Sequence, residues 1–70
     1  MTEYNRRISE LLFEIEATKG NYVTDIAYDY IYHWCDNMED CYNGDSYDFS
    51  NASWGVSEET IIEYLTNLLK

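Results

Sequence analysis

The sequence has no proline at all, and it has no lysine or arginine between Lys19 and Lys70. Without proline, the residue type that breaks a helix most strongly is missing, which favours uninterrupted helices. Residues 21–60 contain nine carboxylates and no Lys or Arg side chain. The formal net charge of the whole sequence is −10. Direct binding to DNA or RNA is excluded because the protein and the nucleic acid are both anionic and repel each other. Such a surface favours a strongly basic protein partner.

Membrane and secretion signals are also missing. No apolar run approaches the ~20 residues of a membrane span, and the N-terminal residues are polar. We therefore expect a cytoplasmic protein that does not contact a membrane.

Catalytic and metal-binding motifs are absent as well. The chain has one histidine, His33, and no Gly-rich phosphate loop, nucleophile elbow or HExxH pattern. His33 and Cys35 are two residues apart, so on a helix they point in different directions. The acids of residues 40–48 do not follow the ligand order of an EF-hand. We predict that the protein is not an enzyme and uses no cofactor or metal.

What the sequence does contain is enough bulk for one small core. Seventy residues include eight tyrosines, two tryptophans and two phenylalanines, and aromatic side chains bury large areas. We predict a single acidic helical domain over residues 1–70. Its fold class is mainly α, a compact three-helix domain with an aromatic-pinned loop. The alternative is an α+β fold with residues 22–34 or 42–50 as strands.

The two ends of the chain show helical periodicity. An apolar stripe at i, i+3, i+4 and i+7 predicts a first helix over 3–18, with Thr2 as a possible N-cap and Gly20 as its stop. A second stripe, capped by Ser57, predicts a last helix over 58–69. Between them, residues 43–56 are rich in Gly, Ser, Asn and Asp and predict a loop. We expect Tyr47, Phe49 and Trp54 to pack this loop onto the core.

The middle segment is predicted as a helix over 24–42, with Thr24 as N-cap. At 100° per residue its apolar residues gather on one side and its acids on the other. Residues 22–34 also alternate at period two with side chains that suit strands, but thirteen residues is long for a strand. A hairpin turn at Asn43-Gly44, with 46–49 as one strand, is a second alternative.

The acidic side of this predicted helix is the candidate binding surface. Its five acids span about 22 Å at the helical rise, with a charge density close to that of one DNA strand. Neighbouring tyrosines add rings that can stack on arginine. The predicted partner-binding residues are Asp25, Asp29, Asp36, Glu39, Asp40, Asp45, Asp48, Tyr28 and Tyr32. Glu58 and Glu59 extend the surface if the loop folds back beside the helix.

The two cysteines do not form a disulfide scaffold. If Cys35 and Cys41 lie on one helix, they point about 120° apart and are about 9 Å apart along its axis, beyond the usual reach of a disulfide. We expect reduced, partly buried thiols.

In size, acidity and lack of enzymatic motifs, the chain resembles the small phage-encoded DNA-mimic inhibitors of bacterial defence, of the anti-CRISPR and anti-restriction type. The resemblance is in the character of the whole chain, without an aligned motif. It implies that the protein occupies the nucleic-acid channel of a nuclease or CRISPR effector, or the site that reads the short DNA signal flanking the target. We expect a monomer or a weak dimer. Immunity proteins and antitoxins that neutralise basic nuclease toxins are one alternative. A small regulatory adaptor that docks through Trp54, Phe49 or Tyr64 is another.

Overall fold

The structure is a computed structural model that describes residues 3–70. Over this range the chain forms three helices, α1 (Glu3–Trp34), α2 (Met38–Cys41) and α3 (Glu58–Leu69). The mainly α class is confirmed, because the β-structure in these residues is limited to two isolated antiparallel bridges. The strand alternative for residues 22–34 is wrong, since they lie in α1.

Helix α1 is bent back on itself at Gly20. A straight helix of 32 residues would be about 48 Å long, whereas the longest dimension of the molecule is 27 Å. Gly20 leaves helical geometry (φ 77°, ψ −174°), a conformation that suits glycine. α1 is therefore two helical segments, residues 3–19 and 21–34, and the predicted stop at Gly20 is confirmed.

The capping predictions have mixed outcomes. Thr24 is not an N-cap, because it lies inside the second segment of α1 and its hydroxyl donates to the carbonyl oxygen of Gly20 at 2.7 Å. Ser57 does cap α3, accepting from the N–H of Thr60 at 3.3 Å. Thr2 lies outside the described residues.

The core lies between the two segments of α1, the start of α3 and the loop that precedes α3. α3 packs against α1 and buries Ile61 and Leu65. One apolar cluster connects all of these elements, and its buried members are Ile8, Leu11, Leu12, Ile15, Ala27, Ile31, Cys35, Met38, Cys41, Phe49, Ile61 and Leu65.

The predicted helix over 24–42 is wrong at its C-terminal end, because α1 stops at Trp34. Beyond Trp34, backbone groups bond to the loop and not to the next turn of a helix. The N–H of Gly55 donates to the carbonyl oxygen of Trp34, and the N–H of Asp36 donates to that of Ser53, both at 2.8 Å. A Cβ at Gly55 would lie 3.4 Å from the Trp34 ring, an ordinary van der Waals contact, so the loop lies directly against this ring. The short helix α2 follows after this break.

Aromatic side chains hold the loop against the core, as predicted. Phe49 is only 2% exposed, and its ring stacks on that of Tyr47 with centroids 5.8 Å apart. The proposed hairpin over 42–50 is reduced to a single bridge between Tyr42 and Tyr47. Gly44, with φ 99°, provides the turn.

Asn5 fastens the loop to the first turn of α1, a contact that the sequence pattern does not reveal. Its side chain is 3% exposed. Its amide nitrogen donates to the carbonyl oxygens of Ser50 and Ala52 at 3.1 and 3.3 Å. Its oxygen accepts from the indole N–H of Trp54 at 2.9 Å. This one side chain joins residues 45 or more positions apart in the sequence.

Candidate acidic interaction surface

All seven predicted aspartate and glutamate site residues are exposed, but they do not line one rod. Asp25 and Asp29 lie one turn apart on the second segment of α1, Asp36 lies in the turn after Trp34, and Glu39 and Asp40 lie on α2. The expected continuous 22 Å helical stripe is therefore wrong. The acids are instead divided between a helix and a compact turn.

The turn and α2 gather part of the predicted set around one open cleft of about 400 Å³. Tyr32, Asp36, Glu39 and Asp40 all line it, together with Asn37. Three carboxylates around one opening produce a strongly negative local field. This cleft is the densest group of predicted site residues in the structure.

Asn37 holds this turn in place. Its side-chain oxygen accepts from the N–H of Ser53 at 2.9 Å, and its side-chain nitrogen donates to the carbonyl oxygen of Asn51 at 3.0 Å. The same oxygen accepts from the thiols of Cys35 and Cys41, at 3.4 and 3.9 Å. One amide therefore ties both ends of the turn to the loop. Sequence reasoning missed it, because an asparagine in an expected helix gives no such signal.

Asp48 and Asp45 lie in the loop beside the turn. The carboxylate of Asp48 accepts from the N–H of Ser50 at 3.0 Å and from its hydroxyl. These bonds hold the pKa of Asp48 below its ordinary value, the side-chain bond being the largest cause. The N–H of Asp48 donates to the carbonyl oxygen of Cys41 at 2.7 Å, so this acid lies next to the end of α2.

The two predicted tyrosines are placed differently. Tyr28 is half-buried and its ring lies 5.7 Å from that of Tyr47, so the fold uses much of its surface. Tyr32 is 61% exposed and can present its ring to a partner. Hydrogen bonding with the Tyr32 side chain is the largest cause of the raised pKa of Tyr47.

A second cleft, of about 460 Å³, lies between the first segment of α1 and the loop. Glu16, Tyr28, Asp45 and Tyr47 line it, as does Phe13, which is 71% exposed. Burial first, and the charge of Glu16 second, raise the pKa of Tyr28. Phe13 and Glu16 were not predicted as site residues. The available signal was Phe13 itself, an aromatic residue off the apolar stripe of its helix.

Few basic groups oppose these acids. Within residues 3–70, the charged side chains form one ion pair, between Arg7 and Glu10 on the first segment of α1, with a nitrogen–oxygen distance of 3.5 Å. None of the seven acidic site residues has such a partner among the described side chains. Their charge faces solvent and is available to a cationic molecule.

Other kinds of site find little support in residues 3–70. No group of three metal-ligating side chains is present there, and His33 is exposed, with its ring edge-on to Trp34 at 4.7 Å. No helix in the same range has both the length and the apolar character needed to cross a bilayer.

The three side chains expected for an adaptor interface are occupied within the protein. Phe49 is buried, Trp54 binds Asn5, and Tyr64 stacks on Tyr30 with ring centroids 3.7 Å apart.

No protein-family model, curated protein or solved structure matches this chain. Its function is therefore inferred from the chemistry of its own surface.

Proposed function

We propose that this protein inhibits a nucleic-acid-binding bacterial defence protein, a CRISPR effector or a restriction nuclease, by presenting carboxylates where phosphates bind. The observation that carries the proposal is the exposure of all seven acidic site residues without a basic partner in the described structure. The inhibition is competitive and involves no chemical step.

The spacing of the acids supports mimicry even without a single rod. Asp25 and Asp29 are separated by four residues, about 6 Å along the helix axis. Alternate phosphates on one DNA strand are about 6.8 Å apart along the axis of the double helix. A groove that positions cations for a phosphate backbone can therefore pair with this helix, while the acidic cleft at Asp36 accepts a further cation.

The chemistry of both clefts favours arginine in the partner. A carboxylate accepts the guanidinium group through two parallel hydrogen bonds, and an aromatic ring stacks on its plane. Tyr32 beside Asp36 and Glu39 provides this combination in one cleft. Phe13 beside Glu16 provides it in the other.

The proposal is tested in bacteria that carry a defined restriction or CRISPR system. The chain is expressed in these cells, and the plating efficiency of a targeted phage is measured. Expression of the wild-type chain should raise plating, and purified chain should displace DNA from the isolated effector. Displacement should weaken as salt rises, because charge supplies much of the attraction. Across a panel of such systems, no rise in plating with any of them would contradict the proposal.

A matched pair of variants locates the surface. Asp29→Lys with Asp36→Lys should abolish inhibition. Glu14→Lys with Glu63→Lys changes the net charge equally at exposed positions outside the predicted site and should preserve most of it. Equal losses in both double variants would refute this placement of the binding surface. Circular dichroism and thermal unfolding confirm that each variant is folded.

A further inference from the structure

The two cysteine thiols converge on one oxygen atom. Cys35 and Cys41 are both buried, and their sulfur atoms lie 3.4 and 3.9 Å from the side-chain oxygen of Asn37. The separation expected for one continuous helix does not apply, because Cys35 precedes α2 and Cys41 ends it. The turn therefore brings together two thiols that the helical spacing would have kept apart.

We propose that Cys35 and Cys41 are a dithiol that hydrogen peroxide closes into an intramolecular disulfide, fixing the acidic turn. Closure removes both S–H donors to Asn37 but leaves no buried acceptor without a partner. The oxygen of Asn37 keeps the N–H of Ser53, at 2.9 Å, and its nitrogen keeps the carbonyl oxygen of Asn51. The hydrogen bonds that hold the turn to the loop are thus compatible with the oxidised form.

The structure also indicates which of the two sulfur atoms reacts first. Cys35 lines the acidic cleft beside Asp36 and Glu39, whereas Cys41 is not among the residues that line it. A small oxidant therefore reaches Cys35 first. The carboxylates of the cleft repel anionic oxidants such as glutathione disulfide, which favours an uncharged peroxide.

The reaction balances with peroxide as the two-electron oxidant. The sulfur of Cys35 attacks one peroxide oxygen, the O–O bond breaks, and a sulfenic acid forms while the released hydroxide takes up the thiol proton as water. The sulfur of Cys41 then attacks the sulfur of Cys35. The S–O bond breaks, and the departing hydroxide leaves as a second water with the proton of Cys41. Two thiols and one peroxide give one disulfide and two waters.

The surroundings of Cys41 favour the thiol form of this residue. Burial, followed by the charge of and hydrogen bond with Cys35, raises the pKa of Cys41 to about 11. This raised pKa keeps Cys41 protonated at neutral pH. Cys41 therefore reacts slowly, because the thiolate is the reactive form. The proton must leave as the sulfenic acid at Cys35 is attacked.

The test uses the full-length folded chain, first reduced and then exposed to hydrogen peroxide. Intact mass should fall by two hydrogens in a monomeric product, and dithiothreitol should reverse the change. The melting temperature should rise on the order of 10 °C, because the closed loop restricts the unfolded chain. Disulfide-linked dimers as the first product would overturn the proposal. So would a mass loss that appears only in urea.

Two single variants separate the roles of the sulfurs. Cys41→Ser should accumulate a sulfenic acid on Cys35, seen as a mass gain of one oxygen. Dimedone traps this group by bonding to its sulfur and releasing the oxygen as water. Cys35→Ser should gain none over the same time. Equal trapping in both variants would refute the order of attack. If a serine variant fails to fold, the corresponding alanine variant replaces it, and the wild-type mass and melting measurements still decide whether the disulfide forms.

Discussion

Replacing Asn5 with alanine tests whether the loop is held to α1 as the structure indicates. The change removes hydrogen bonds at 2.9, 3.1 and 3.3 Å from a side chain that is 3% exposed. The indole N–H of Trp54 loses its acceptor, and two loop carbonyl groups lose their donor. At about 1 kcal/mol for each bond, the expected loss of unfolding free energy is about 3 kcal/mol.

That loss is large for a chain of this size. Seventy residues correspond to a total stability of roughly 3.5–10 kcal/mol, so the variant loses about a third of it or more. The melting temperature should fall on the order of 15 °C. Urea unfolding followed by tryptophan fluorescence measures the free energy of unfolding, and thermal unfolding followed by circular dichroism measures the melting temperature. Asn67→Ala, at an exposed position on α3, is the matched control and should change stability by less than about 0.5 kcal/mol.

A double-variant cycle with Trp54→Phe makes the test specific. If the bond between Asn5 and Trp54 exists, the two single losses should not add up in the double variant, because the second change removes a bond that is already gone. Fully additive losses, or a melting point for Asn5→Ala within about 3 °C of the wild type, would refute this account of how the loop is anchored.

Three further predictions concern the backbone, pH and salt. Gly20→Ala should lower the free energy of unfolding by about 1–3 kcal/mol, because φ is 77° at Gly20 and an L-residue is strained there. Asn21→Ala, at the next position on ordinary helical backbone, is the control in thermal melts. Above about pH 10 the wild type should lose stability, because burial raises the pKa of Tyr28 and the folded state therefore holds its proton more tightly than the unfolded state does. Tyr28→Phe should lose less between about pH 9 and about pH 11 in urea titrations, and an identical slope would contradict the pKa shift. Raising salt from about 0.01 to about 1 M should stabilise the isolated protein, because screening weakens its self-repulsion. A lower melting temperature in high sodium chloride would contradict this, because it would show that charge interactions stabilise the folded state on balance.

The helices at the two ends were predictable because their signals are local. The apolar stripe from Ile8 to Ile15, the glycine at position 20 and the cap at Ser57 each specify structure within a few neighbours. The end of α1 at Trp34 was not predictable in this way. It depends on hydrogen bonds to Ser53 and Gly55, about twenty residues further along the chain, and helical periodicity carries no information about them.

The candidate site also has features that the local sequence predicts and features that depend on distant contacts. Exposure of the acids could be predicted, because an isolated charge is costly to bury. Their grouping could not, since it follows from the turn held by Asn37. The cleft beside Phe13 depends on where the loop lies against the first segment of α1, which again is a long-range contact.

The placement of Asn5 also has a consequence for the order in which the molecule folds during synthesis. Its partners lie 45 to 49 positions later in the sequence, so they are still inside the ribosome when the first thirty-four residues emerge. The bent α1 can assemble early from neighbouring contacts, but its first turn holds a polar side chain with nothing from the loop to bind. We therefore expect the native packing to be completed only after the loop that carries Ser50 and Trp54 has left the ribosome.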